Sequence, residues 1–139
     1  MINQRAIDGR HEPIHALVVE DDMLIMLDIE EILKSMGIAK VSCCTSVEQA
    51  IRALAESRPD FALMDFHVGK STTGDIAMTL QKLEVPFAFV TASMSPADML
   101  PELSAALAIM KPFSENDIHN AVDFLLGHTM AKTDKEKFG

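Results

Sequence analysis

IHALVVEDD, residues 14–22, is the stretch on which the reading of the whole chain turns. A short apolar run rich in β-branched residues is the pattern of a buried strand, and three consecutive acids end it at the rim of a sheet. Asp22 stands where its side chain can cap a following helix over 23–36, and Gly37 stops that helix. Strand, acidic turn and helix together make the opening unit of a parallel α/β layer.

The same alternation continues outward. Residues 39–44 form a second strand. Ser46-Val-Glu-Gln49 is a capping box opening a helix to about Ser57, and Pro59 stops it. DFALMD, 60–65, is a third strand. A polar loop, 68–74, holds two glycines and three hydroxyl residues before a helix at 75–83. VPFAFVT, 85–91, is a fourth strand, with Pro86 near its start, where a missing N–H is tolerated. Ser95-Pro-Ala-Asp98 begins another helix, and Pro101 interrupts it, so the fourth helix is expected to be short or irregular. Residues 107–110 form the fifth strand. Ser114-Glu-Asn-Asp117 caps a last helix that is expected to end near Leu126, at Gly127. The expectation is one α/β domain over 14–127, a doubly wound five-stranded parallel sheet with helices on both faces. Residues 1–13 and the charged segment 128–139 are expected to be flexible flanks.

Composition narrows the function. With 48% hydrophobic and 24% charged residues in 139, the chain is too apolar for disorder and long enough for a core without staples. Its net charge of −9 repels phosphate backbones, which argues against nucleic-acid binding. No apolar run is long enough for a membrane span, and no basic start with an apolar stretch suggests a signal peptide. The only cysteines, Cys43 and Cys44, are adjacent, which disfavours a bridge or a zinc site, and a reducing cytoplasm is expected.

In a parallel sheet the chemistry lies beyond the C-terminal strand ends. Four of those ends carry a coherent set of groups. The first strand ends in Glu20, Asp21 and Asp22, and the third in Asp65. The fourth ends in Thr91, followed by Ala92 and Ser93, and the fifth leads into Lys111-Pro112-Phe113. Clustered carboxylates repel one another unless a divalent cation joins them, and hard oxygen donors suit Mg²⁺. A lysine and a hydroxyl facing one aspartate match the needs of a phosphoryl group, and the aspartate can be its nucleophile.

Four pieces, VVEDD (18–22), LMD (63–65), VTAS (90–93) and KPF (111–113), occur at these strand ends in one order. The set resembles the receiver domain of bacterial two-component response regulators over about residues 14–127. The resemblance implies a flavodoxin-like strand order of 2-1-3-4-5 and a phosphoacceptor at Asp65. It further implies Mg²⁺ held by Asp21, Asp65 and the backbone carbonyl of His67, with Glu20 acting mainly through water. Thr91 and Lys111 would contact the phosphoryl group. A finer likeness, to the alphaproteobacterial single-domain receivers with a Phe-Ala-Thr-Gly-Tyr motif, rests on ALVVEDDMLIMLDIEEIL, VPFAFVTAS and the Leu100-Pro101-Glu102 step. This chain reads Phe-Val-Thr-Ala-Ser at 89–93, so the Gly-Tyr pair is missing.

The implied function is that of a stand-alone response regulator. It would accept a phosphoryl group from a histidine kinase or phosphotransfer protein and signal through protein contacts, or act as a phosphate sink. It would be no enzyme beyond its own Mg²⁺-dependent phosphorylation and dephosphorylation. Two alternatives stand beside it. An aspartate-nucleophile phosphatase of the haloacid dehalogenase type needs an acid two residues after the nucleophile, where this chain has His67. A receiver-like binding module that is never phosphorylated would not need the full set of acids, threonine and lysine. Helix 1 opens with Met23, Leu24, Ile25, Met26 and Leu27, which cannot all face the sheet, so either flanking segments or a partner cover the surplus; the resemblance to receivers, which dock kinases and phosphotransfer proteins through this helix, favours the partner. Ala108 replaces the aromatic that many receivers turn inward on phosphorylation, which shifts the expected moving part to Ser93–Ser104. The last helix carries Glu115, Asp117 and Asp123 and no arginine, a charge pattern that disfavours the dimer of receiver transcription factors.

Overall fold

The computed structural model describes residues 13–92, 101–103 and 106–138, with side chains described through 127. Five strands build the main sheet: β1 (His15–Val19), β2 (Lys40–Cys44), β3 (Phe61–Met64), β6 (Phe87–Thr91) and β7 (Leu107–Met110). Their spatial order is β2-β1-β3-β6-β7 and every pairing is parallel. Counted along the sheet's own strands this is 2-1-3-4-5, the flavodoxin-like order. Between them run α1 (Met23–Ser35), α2 (Val47–Glu56) and α3 (Gly74–Lys82), and α4 (Glu115–Phe138) closes the chain.

Parallel strands buried on both faces need apolar side chains at successive positions, and β1 and β3 are buried at every residue. Ala16 and Val18 face one core, shared with Met26, Ile29, Ile32 and Leu33 of α1 and with Ile118, Val122 and Leu125 of α4. Leu17 and Val19 face the other, shared with Ala50 of α2 and with Ile76, Ala77 and Leu80 of α3. The helices thus sit two to a face. Local caps fall where the side chains allow. Asp22 accepts from the amides of Leu24 and Ile25, Ser46 from Gln49, and Ser114 from Asp117, whose carboxylate accepts from the Ser114 amide in return. Gln49 completes its box one residue early, on the Thr45 amide at 2.7 Å.

Two boundaries differ from the sequence reading, and a third element matches it. The loop expected over 68–74 contains a small antiparallel hairpin, β4 (His67–Val68) and β5 (Ser71–Thr72), turning at Gly69-Lys70 with φ of +62° at Gly69. Helix α4 continues through Gly127 to Phe138. A glycine inside a helix costs only about 1 kcal/mol relative to alanine, and the Met, Ala and Lys residues beyond it favour continuation. Pro101–Leu103 forms a single 3-10 turn, the irregular element expected there, while the expected helix start at 95–98 and most of the expected moving segment lie outside the described residues.

Candidate functional site

Parallel pairing brings the C-terminal ends of β1, β3, β6 and β7 to one edge, and the acids and the lysine meet there. Glu20 follows β1 and is almost completely buried, because its amide continues the ladder to the Cys44 carbonyl and draws the residue into the sheet. Asp21, the next residue, is exposed. Asp65 follows β3, its amide bonded to the Val19 carbonyl at 2.9 Å. Glu20, Asp21 and Asp65 each place a carboxylate oxygen within 4.8 Å of the others. Lys111 leaves β7 with its amide on the Thr91 carbonyl, at 3.0 Å. Its Nζ donates to Glu20 Oε1 at 2.7 Å and to Asp65 Oδ2 at 2.8 Å. Thr91 is buried at the end of β6, the strand beside β3.

The electrostatics of this edge are unbalanced. Burial pushes the Glu20 carboxyl above its usual range, and the Lys111 ammonium and the Asp22 amide only partly oppose it. Burial works against the Lys111 charge too, but its hydrogen bonds to Asp65 and Glu20 outweigh that and hold its pKa above the ordinary value. Three carboxylates face this one ammonium, so an excess of negative charge remains on oxygen donors. That donor set fits a hard divalent cation such as Mg²⁺.

His67 lies at the mouth of this cluster. Its amide points to Asp65 Oδ1 at 3.3 Å, and its exposed ring stands edge-on to Phe66. Asp22 is drawn off by its capping role and stands outside the group of three. Ala108, which pairs with Phe89 across β6 and β7, is exposed and offers no ring.

Two participants escaped the sequence reading. Gly69 donates its amide to Asp21 Oδ2 at 2.8 Å across the top of the site. Thr73 is fully buried and donates its hydroxyl to the Asp65 carbonyl at 2.8 Å, while its amide reaches the Phe66 carbonyl. A signal for the first was present, since Gly-X between short extended pairs is a two-residue hairpin pattern. None marked Thr73, because a threonine before a helix looks like an ordinary cap.

Comparison with known proteins agrees with this geometry. The model of the response regulator receiver domain matches residues 16–123. The sensory transduction protein LytT of Bacillus cereus is 32% identical over 108 residues, covering 76% of this chain and 44% of LytT. The phyllosphere-induced regulator PhyR of Methylorubrum extorquens is 25% identical over 127 residues, covering 76% of this chain and 48% of PhyR. The chain thus spans about half the length of these curated relatives. Among solved structures, the receiver domain of PhyR from Erythrobacter litoralis superposes with a TM-score of 0.71 at 25% identity, covering 83% of this chain and 91% of that one. Strand order, the acid-and-lysine edge and the family match converge, and the chain belongs to the response regulator receiver domain family.

Proposed function

We propose that this chain acts as a response regulator receiver whose phosphoacceptor is Asp65. The observation that carries this is the placement of Lys111 Nζ between Glu20 and Asp65, within a cluster of three carboxylates at the C-terminal sheet edge. Of the acids there, Asp65 is the one that combines partial exposure with a direct lysine contact. A carboxylate oxygen of Asp65 attacks phosphorus, a new O–P bond forms, and the P–N bond of a phosphohistidine breaks with its electron pair leaving on nitrogen. Lys111 neutralises a phosphoryl oxygen, and the Thr91 hydroxyl donates to another. Asp21, Asp65 and the His67 carbonyl would hold Mg²⁺, with Glu20 acting through water. When bound, the cation supplies charge neutralisation of the transferring group.

The partner is a histidine kinase or phosphotransfer protein. Met23, Leu24 and Leu27 on α1 are more than half exposed beside the acidic edge, an apolar face suited to such docking. Kinship with the Phe-Ala-Thr-Gly-Tyr receivers is favoured by the resemblance to PhyR receivers, though Ala92 and Ser93 replace the Gly-Tyr pair.

Incubation with acetyl phosphate and Mg²⁺ tests the reading. One base-labile phosphoryl group should appear on Asp65, with turnover of that group alone. Steady hydrolysis of added phosphate esters would show a phosphatase instead, and no labelling under these conditions or with a panel of kinases would leave a binding module.

A further inference from the structure

The hairpin at 67–72 joins two parts of the site that are far apart in sequence. At its base, Thr73 grips the Asp65 backbone through its hydroxyl, and Phe66 and Val68 are buried in the core beneath the sheet edge. At its tip, the Gly69 amide reaches Asp21 Oδ2 at 2.8 Å. The strap therefore runs from the backbone of Asp65 to the side chain of Asp21.

Asp21 needs such a restraint. Its side chain is exposed and lies next to two other carboxylates, so repulsion and rotamer freedom both favour turning it out into water. A hydrogen bond to a carboxylate is charge-assisted and directional. Holding Oδ2 on the Gly69 amide leaves the other oxygen for the centre of the cluster. A backbone donor suits this purpose because no side-chain rotation can withdraw it. Glycine suits the position because φ there is +62°, as the first turn residue of this hairpin requires.

We infer that the Gly69 amide is a positioning group for Asp21, and that the 67–72 hairpin is an outer shell of the cation site whose closure is coupled to cation binding. The inference rests on the proposed Mg²⁺ site. Outer partners that orient ligating carboxylates typically contribute about 10–100-fold to metal affinity. Linkage makes the coupling reciprocal, so the cation closes the hairpin by the same factor that the closed hairpin favours the cation.

The test follows the ¹⁵N-labelled full chain through a Mg²⁺ titration, reading amide hydrogen exchange. Exchange at Gly69 should slow by about tenfold as the site fills, the lower end of that range. If resonances of Asp21 and Asp65 move with Mg²⁺ while Gly69 exchange stays the same or quickens, the coupling is wrong and the cation site stands. If no resonance near the edge moves, the cation site fails and the coupling with it. Substitution adds an independent arm. Gly69→Pro lacks the amide donor and cannot adopt the +62° φ of the turn, so it removes the hairpin tip from Asp21 and should lose about tenfold or more in Mg²⁺ affinity. Gly69→Ala keeps the donor and its Cβ meets nothing within 4 Å; the +62° φ strains an alanine there, so it should lose some affinity, but less than Gly69→Pro. A folded Gly69→Pro chain with unchanged Mg²⁺ affinity overturns the inference; if that variant does not fold, the exchange measurement on the unaltered chain decides alone.

Discussion

Strand β3 carries an aspartate at each end, and the two have opposite surroundings. Asp60, before the strand, exchanges with one neighbour: its carboxylate accepts from the His15 amide and its own amide donates to the His15 carbonyl, both at 2.7 Å. The His15 ring beside it bonds Ser42 Oγ at 2.7 Å, and the charges of Lys40 and Asp60 act on that ring with opposite signs. Asp65, after the strand, faces two further carboxylates and a shared lysine. In a parallel sheet all N-terminal ends share one edge and all C-terminal ends the other. The acids of β1 and β3 therefore pile up at one edge, while the other receives single polar groups that pair off. The same residue type is a structural tie at one end and, in the proposed function, the phosphoacceptor at the other.

The largest contrast should be chemical. Asp65→Asn is expected to abolish phosphoryl uptake and keep the fold. Asp60→Ala should keep uptake and cost about 1.5–3 kcal/mol of stability, the usual range for a hydrogen bond to a charged group. Labelling with acetyl phosphate and a urea melt measure the two. Labelling that survives in Asp65→Asn would dissolve the distinction between the two ends.

Next comes Lys111→Met. It strands Glu20, which is 1% exposed, without a counter-charge. Removing one partner of a buried ion pair costs about 3 kcal/mol. Adding Glu20→Gln should recover much of it, and a double-mutant cycle in chemical denaturation reads the coupling. Strict additivity would mean that the 2.7 Å contact contributes little.

Asp21→Asn should have a smaller and two-signed effect. Mg²⁺ affinity should fall by at least about tenfold, as expected for a ligand more strongly than for an outer partner. Without cation, stability should rise by on the order of 0.5 kcal/mol as like-charge repulsion is relieved. Calorimetric titration and thermal melts in chelator measure these. A loss of stability in chelator would show that the acidic edge is balanced after all, like the opposite one.

The smallest effect lies at the N-terminal edge and depends on pH. Burial and the Lys40 charge hold His15 below its ordinary value of 6.5, against the pull of Asp60 and of the Arg58 carbonyl. The unfolded chain therefore takes up the proton first. The stability tied to neutral His15 is present above pH 6.5 and is lost as the pH falls through that value toward the lowered one. His15→Gln should flatten this part of a plot of melting temperature between pH 7.5 and 5.5; an unchanged slope would assign the acid sensitivity elsewhere.

Much of this molecule was legible in the chain. Alternating apolar strands and capped helices determined the α/β class and the sheet, since burial on both faces demands those periodicities. The short acid, threonine and lysine motifs at strand ends determined which edge gathers these groups, because parallel strands align their ends without further information. Helix limits were less legible. Gly127 looked like a stop, yet its cost of about 1 kcal/mol is too small to end a helix by itself. Partner choice within the site was decided only in three dimensions. Whether Lys111 would meet Glu20, Asp65 or both depends on the spacing of three strand ends. The Gly69 contact joins residues 48 positions apart through a hairpin whose turn is local but whose tip is aimed by the burial of Phe66 and Val68. Periodicity reports how each segment is buried. It carries no information on which polar atoms of distant loops arrive within 3 Å of each other, because packing of the intervening core sets that distance.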